Sequence, residues 1–222
     1  MRPHWDHAFS SGKVFKEPSA GVGLLFEPLF RLGERWYGNY MIRRLWRGWK
    51  RSSVCADGVS LGGNARLINR NVRGAVCIGE NTVCRGILRV EASGSLTIGK
   101  EVYLGDASII SVLASVVIGD GTLIAHNVHI FDNTSHPLAW NLRRDHFKRL
   151  LGQKIPSSVQ IPSASVRIGE YCWLGMGCVI LKGVTIGDRS VIGAGCVVSQ
   201  DVPPDTLVVG PKMTFIDLEK TE

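Results

Sequence analysis

"IGEYCWLGMGCVILKGVTIGDRSVIGAGCVVSQDVP", residues 168–203, counts in sixes. Large aliphatic side chains stand at Ile168, Leu174, Ile180, Ile186, Ile192 and Val198, and a glycine often follows, as at Gly169, Gly175, Gly187 and Gly193. Four places after each large residue comes a small or β-branched one: Cys172, Cys178, Val184, Ser190, Cys196 and Val202. A period of six fits neither the 3.6 of a helix nor the simple alternation of a strand. It is the signature of a solenoid. Three sixes close one triangular coil, with the large residue pointing inward from each face and the small one filling the corner. Glycine is expected at the turns because it accepts positive φ. Coils stacked about 4.8 Å apart pair each strand with the coil above and below. The predicted fold is mainly β, a parallel β-helix. Its six-residue step marks the left-handed kind, an exception to the usual right-handed crossover.

Upstream, the same count runs through Ile98, Leu104 and Ile110, then, after a two-residue insertion, through Ile118, Ile124 and Ile130. The corresponding small positions include Val102, Ser108, Thr122, Val128 and Thr134, and an earlier coil shows at Ile78-Gly79 with Thr82. The count fails at Asp132 and resumes near Ser165. The expected organisation is a tail and a basic aromatic helical segment over 1–53, a β-helix over 54–204 interrupted by a long loop at 132–165, and a C-terminal tail over 205–222. Ordinary connections run to about 4–6 residues, and long loops on a rigid scaffold carry function. Within this loop a short amphipathic helix is expected over 145–154, using Phe147, Leu150 and Leu151.

The chain has 222 residues, 45% of them hydrophobic, which predicts a packed core rather than disorder. No apolar run is long enough to span a bilayer, and the N-terminus lacks the layout of a signal peptide. A cytoplasmic protein is expected. The six cysteines then read as free thiols. Cys172, Cys178 and Cys196 fall on the small inward position, and no CxxC spacing suggests zinc. The net charge of +7 is concentrated in 31–51, where Arg31, Arg35, Arg43, Arg44, Arg47, Lys50 and Arg51 face Glu34 alone. Residues 22–51 read as mostly helical, with Trp36, Tyr37, Tyr40, Trp46 and Trp49 among the arginines. One reading packs this helix on the solenoid or on a neighbouring subunit. A second lays it on an anionic membrane surface, at the inner face of the membrane. Nucleic acid is not expected, because no recognition motif accompanies the charge.

In the broken stretch, "HIFDNTSHPLAW" (129–140), His136 is a residue able to take a proton near neutral pH, as an alcohol nucleophile requires. Here the sequence resembles a known family. The "WLG…GVTIG…IGAG…V…DVP" order within 168–203 is similar to the hexapeptide-repeat acyltransferases, in particular the sugar O-acetyltransferases related to the maltose and galactoside enzymes, over roughly residues 78–210. "SHPLAWNLR" resembles the family's "HPLDPxxR", with Ala139 and Trp140 in place of Asp-Pro and one extra residue before His136. The resemblance implies acetyl-CoA as acyl donor, no metal, a homotrimer with sites between neighbouring solenoids, and His136 as general base. Asp132 is a candidate to orient the imidazole, or else a turn residue capping backbone. Trp173, Gly175, Met176, Ala194, Ser199, Gln200 and Lys212 match the family's CoA-binding positions, with a backbone N–H near Gly175–Met176 as oxyanion donor. Trp140 and Arg143 are candidates for the acceptor side. The galactoside enzyme's sugar-binding Asn and Asp fall on Gly105 and about Leu113, so maltose and galactosides are not the expected acceptors. A sugar hydroxyl of a surface polysaccharide or its precursor is. Other readings are N-acetylation of an amino sugar, a metal hydratase like the γ-type carbonic anhydrases, using His126, His129 and His136, and a solenoid without catalysis. His126 and His129 otherwise read as structural, and His146 as exposed.

Overall fold

The computed structural model describes residues 40, 43–155 and 159–210. It divides into two units, 1–49 and 50–222. In the first, Tyr40 and residues 43–49 are helical. Arg43, Arg44 and Arg47 are exposed there, and Trp49 is buried. The remainder of the segment expected to be helical, 22–39 and 41–42, lies outside the described residues.

The second unit is the predicted left-handed β-helix. Its strands form three parallel sheets of six, seven and six strands, one for each face of a triangular prism. The inward ladder of the first face runs Ile78, Ile98, Ile118, Ile168, Ile186. That of the second runs Cys84, Leu104, Ile124, Leu174, Ile192, Val208, and that of the third Leu88, Ile110, Ile130, Ile180, Val198. None of these is more than 4% exposed except Val208, at the end of its ladder. Each buried aliphatic contributes about 2 kcal/mol. The solenoid extends past 204, since Leu207–Val208 pairs with Val191–Ile192.

The small inward positions fill the corners as expected. Where they are polar they are satisfied: Thr82 Oγ1 donates to Gly99 O at 2.8 Å and accepts from Val102 N at 3.2 Å, and Ser190 bridges Pro203 O and Thr206 N in the same way. Thr134 is the exception: it lies past the break and is only half-buried. Cys84, Cys172, Cys178 and Cys196 are buried free thiols. Burial pushes Cys84 up to about 12, with a smaller contribution from Cys55, and Cys178 up to about 12, with a smaller contribution from Cys196.

The glycines after the large residues have a different role from the one expected. Positive φ belongs two residues later, where Gly121, Gly177 and Gly195 share the position with Glu101, Tyr171 and Arg189. The earlier glycines serve close approach between coils. A Cβ on Gly119 would stand 2.6 Å from the backbone of Gly169 and Glu170 in the next coil, and one on Gly105 2.7 Å from the Ala125 carbonyl.

Coils before the loop take twenty residues, as Ile78, Ile98 and Ile118 show, and the last full coil takes eighteen, Ile168 to Ile186. The longer coils carry an extra inward residue, Val90 or Val112, at the end of a four-residue third-face strand. The loop departs at this corner, between the third and first faces, where the preceding coil turns through Leu113 and Ala114.

Candidate functional site

The loop has a closed neck. Ala164 N–H donates to Asp132 O at 2.8 Å, Asn133 and Ser163 form an antiparallel bridge, and Thr134 N–H donates to Pro162 O at 3.0 Å. The ladders therefore continue across the gap, with Val116 opposite Val166 and Ile130 opposite Ile180. Asp132 follows the Phe131–Ser111 pair and so takes the place that Val112 holds one coil earlier. Its carboxylate is fully buried. One oxygen accepts Leu113 N–H and the other Ala114 N–H, each at 2.8 Å, and Asn133 Nδ2 adds a third bond at 2.9 Å. Among the described residues, none of its hydrogen bonds runs to His136. Of the two roles weighed for Asp132, the geometry is that of a backbone cap, and it caps the preceding coil.

Past the neck the chain turns sharply. Asn133 Oδ1 accepts Ser135 N–H at 2.9 Å, and Ser135 sits at φ 60°. Thr134 then holds His136 twice, accepting its N–H at 2.6 Å and donating its hydroxyl to its carbonyl at 2.8 Å. The backbone at His136 is fixed and the side chain exposed, so the residue inserted before His136 forms the turn that presents it.

The loop helix spans Trp140–Leu150, starting five residues before the expected 145. Arg143 lies in its first turns and donates to the carbonyls of Leu138, at 3.0 Å, and Pro137, at 3.3 Å. It thereby ties the helix to the residues after His136. Trp140 is 69% exposed, with the Arg144 guanidinium 5.7 Å from its ring centroid. Phe147, Leu150 and Leu151 are all exposed in the single chain, as is Leu138. His146, expected from the sequence to be exposed, instead joins the site. It is half-buried, and its Nδ1 lies 3.1 Å from Nδ1 of His136. Burial first, then the neighbouring His136 and Arg149, hold its pKa below the ordinary 6.5. The signal that would have found it was the helix start: with the helix begun at Trp140, His146 follows Arg143 by one turn.

The remaining candidates form two groups. Trp173 points outward from the second face, 53% exposed, in a row with Tyr103, Leu123, Val191 and Leu207. Gly175 and Met176 open the next corner, and Met176 O accepts Gly195 N–H at 2.9 Å, beside Ala194 in the following coil. Gly175 N–H is engaged with Ile192 O at 2.7 Å. Among the described residues Met176 N–H has no partner, so of the two amides it is the one able to serve an oxyanion. Ser199 and Gln200 are exposed one corner further on, after the third-face strand Val197–Val198. That is the corner from which the loop leaves. Lys212 lies outside the described residues.

His126 and His129 have structural surroundings. His126 Nδ1 accepts Asp106 N–H at 3.1 Å, and His129 stacks on Phe131 with centroids 6.1 Å apart. Among the described residues no group of three or more His, Cys, Asp or Glu is placed to hold a metal within one chain.

Residues 165–200 match the family described as "Bacterial transferase hexapeptide (six repeats)". Over that stretch the chain carries hexapeptide repeats of this kind. It is 37% identical to nodulation protein L of Rhizobium meliloti (strain 1021), over 60% of this chain and 65% of that one. It is 34% identical to galactoside O-acetyltransferase of Escherichia coli (strain K12), over 60% of this chain and 59% of the enzyme. The chain thus spans less than two thirds of the length of either. It is 28% identical to WcaF of the same strain, described as a candidate colanic acid biosynthesis acetyltransferase, over 65% of this chain and 71% of that one.

Proposed function

We propose that this protein is a CoA-dependent acyltransferase, moving acetyl from acetyl-CoA to a sugar hydroxyl of a surface polysaccharide or its precursor, with His136 as general base. The observation that carries the reading is the presentation of His136. An otherwise unbroken solenoid, similar in sequence to named acetyltransferases, opens once, and at that opening it holds an exposed imidazole on a braced turn.

His136, as neutral imidazole, removes the proton from the acceptor hydroxyl. The oxygen attacks the thioester carbonyl, and the C=O electrons move to oxygen. The oxyanion is met by Met176 N–H, an amide the coil leaves unused. Collapse breaks the C–S bond, and the departing thiolate takes the proton from the imidazolium. The products are an O-acetyl ester and CoA, with no covalent acyl-enzyme. In this reading Trp173, Gly175, Met176 and Ala194 line the pantetheine arm. Ser199, Gln200 and Lys212 lie toward the charged end of CoA, and Trp140 and the remaining donors of Arg143 serve the acceptor.

The reading includes a homotrimer. His136 is rooted at one corner of the prism and the thioester group at another, so neighbouring chains bring the two together. The exposed Phe147, Leu150 and Leu151 of the loop helix, and the outward row of Leu123, Trp173 and Leu207, supply apolar surface for such contacts. The reading is of a cytoplasmic protein, and it assigns residues 31–51 to peripheral contact with an anionic membrane. Among the described residues no helix is long and apolar enough to cross one. Flotation with anionic liposomes, with and without residues 1–51, tests the membrane contact, and equal binding by both forms sinks it.

Calorimetry with acetyl-CoA tests the central reading. About one site per chain is expected, followed by acetyl transfer to members of a saccharide panel. His136→Ala is expected to bind acetyl-CoA and fail to transfer. Absence of acetyl-CoA binding overturns the proposal.

A further inference from the structure

We infer that His146 is the positioning residue for His136, holding it in the tautomer with the proton on Nδ1 and the lone pair on Nε2. The contact between the two rings is independent of the acyl-transfer reading above; the tautomer and its role in catalysis rest on that reading.

The base needs a free lone pair on the nitrogen facing the acceptor, and something must keep the proton on the other nitrogen. Asp132 does not do this, since its carboxylate is engaged by Leu113, Ala114 and Asn133. The hydrogen-bond partner of the His136 ring is His146, Nδ1 to Nδ1 at 3.1 Å. Two neutral imidazoles can share that contact only if one donates and the other accepts, so their tautomers are complementary. The ring planes are inclined by 57° with centroids 5.1 Å apart, an arrangement of ring edges rather than a stack.

The direction of the bond follows from the base role of His136. His136 is exposed and His146 half-buried. The groups acting on His146 are His136 across the contact and Arg149 on its own helix, and both disfavour a second positive charge. A neutral His146 can accept or donate through Nδ1, and only acceptance leaves Nε2 of His136 unprotonated for the base role. His136 donates through Nδ1–H and keeps Nε2 open. When His136 gains the acceptor's proton it becomes a stronger donor to the same partner, so the contact tightens as the reaction proceeds. The distance is braced independently. Arg143, one turn before His146, clamps the helix to the Pro137 and Leu138 carbonyls directly after His136. The inserted helix thus brings its own orienting group, a neutral one where a carboxylate would serve elsewhere.

The test uses the full chain. Long-range nitrogen–proton NMR at pH 7.5 reads the tautomer of His136 in wild type, His146→Ala and His146→Asn. Wild type is expected to show Nδ1–H with unprotonated Nε2. His146→Ala is expected to give a mixture of tautomers, and His146→Asn, whose side-chain oxygen accepts a hydrogen bond, to restore the wild-type state. An unchanged His136 tautomer in His146→Ala overturns the inference. With a saccharide acceptor from the panel, His146→Ala is expected to lower kcat about tenfold or more while KM for acetyl-CoA stays within about twofold, and His146→Asn to recover most of the loss. If wild type transfers to no acceptor while the tautomer shift is seen, the acyl-transfer reading fails and the histidine pair stands.

Discussion

Asp132 reaches back one coil to Leu113: its carboxylate oxygen accepts the Leu113 N–H at 2.8 Å, and the partner oxygen takes Ala114. The residue at which the hexapeptide count fails is therefore the residue that closes the turn below it. Replacing Asp132 by Ala leaves the Leu113 and Ala114 amides without their acceptor in a buried corner and removes one of the two bonds of Asn133 Nδ2. The expected loss is about 3 kcal/mol of stability in denaturant unfolding. Asp132→Asn keeps one acceptor oxygen and loses less. If Asp132→Ala unfolds at the wild-type midpoint, the cap contributes nothing.

Gly119→Ala tests the close approach of the two coils on either side of the loop. The added Cβ falls 2.6 Å from the Gly169 carbonyl, which belongs to a paired ladder and has no free end to move. A loss of about 3 kcal/mol or more is expected. Gly121→Ala sits at φ 65° in the same turn, where other coils carry Glu101 or Arg189. Its backbone cost is about 1–2 kcal/mol, with contact to the Tyr171 ring added. The order of the two midpoints distinguishes packing from backbone conformation as the reason for glycine.

The His146 pair makes the loop sensitive to acid. His146 has a folded-state pKa below the ordinary 6.5, so the opened loop binds its proton first as pH falls. Stability of the closed loop is therefore full above about 6.5 and declines below it, toward the folded-state value. Hydrogen exchange over 136–150, corrected for intrinsic rates, is expected to be faster at pH 5.5 than at pH 7.5, while that of the Ile118 and Ile168 ladders is not. Equal protection at both pH values contradicts this.

Thiol labelling separates the cysteines by place. Cys84 and Cys178, buried and pushed up to about 12, and the buried Cys172 and Cys196 are expected to resist iodoacetamide at pH 8 in the native protein. Cys55 and Cys77 are only partly buried and react first. All six react in denaturant.

His136→Ala is expected to lower acetyl transfer by a factor of about 10²–10⁴ with acetyl-CoA affinity unchanged, measured as turnover beside calorimetry. Loss of both together assigns His136 to binding rather than to proton transfer.

The solenoid was legible because one side chain per six residues must fill the same interior, and Ile98, Ile118, Ile168 and Ile186 obey that rule regardless of what lies between them. The glycines were legible in position but not in cause, since a string of letters does not distinguish a turn from a neighbouring backbone 2.6 Å away. The loop was legible as an interruption, and His136 as its candidate base. Its internal wiring was not. Asp132 lies four residues before His136 yet bonds nineteen residues back, to Leu113. His146 lies ten residues on and touches the ring. Both contacts depend on how the neck and the helix fold, which no period encodes.

The neck at Asp132 and Ala164 also sets an order of assembly. Each earlier coil finds its predecessor across a short turn such as 113–114. The strand Val166–Ile168 must find Ser115–Ile118 across the whole excursion 132–165. Closing the longer loop costs about 2.5 kcal/mol more in chain entropy. That joint is where coil-by-coil growth would pause, leaving the upper edge of the coil that begins at Ser115 unpaired until the neck closes. The same joint lets a reactive segment be lengthened, shortened or exchanged while the ladders on either side keep their register.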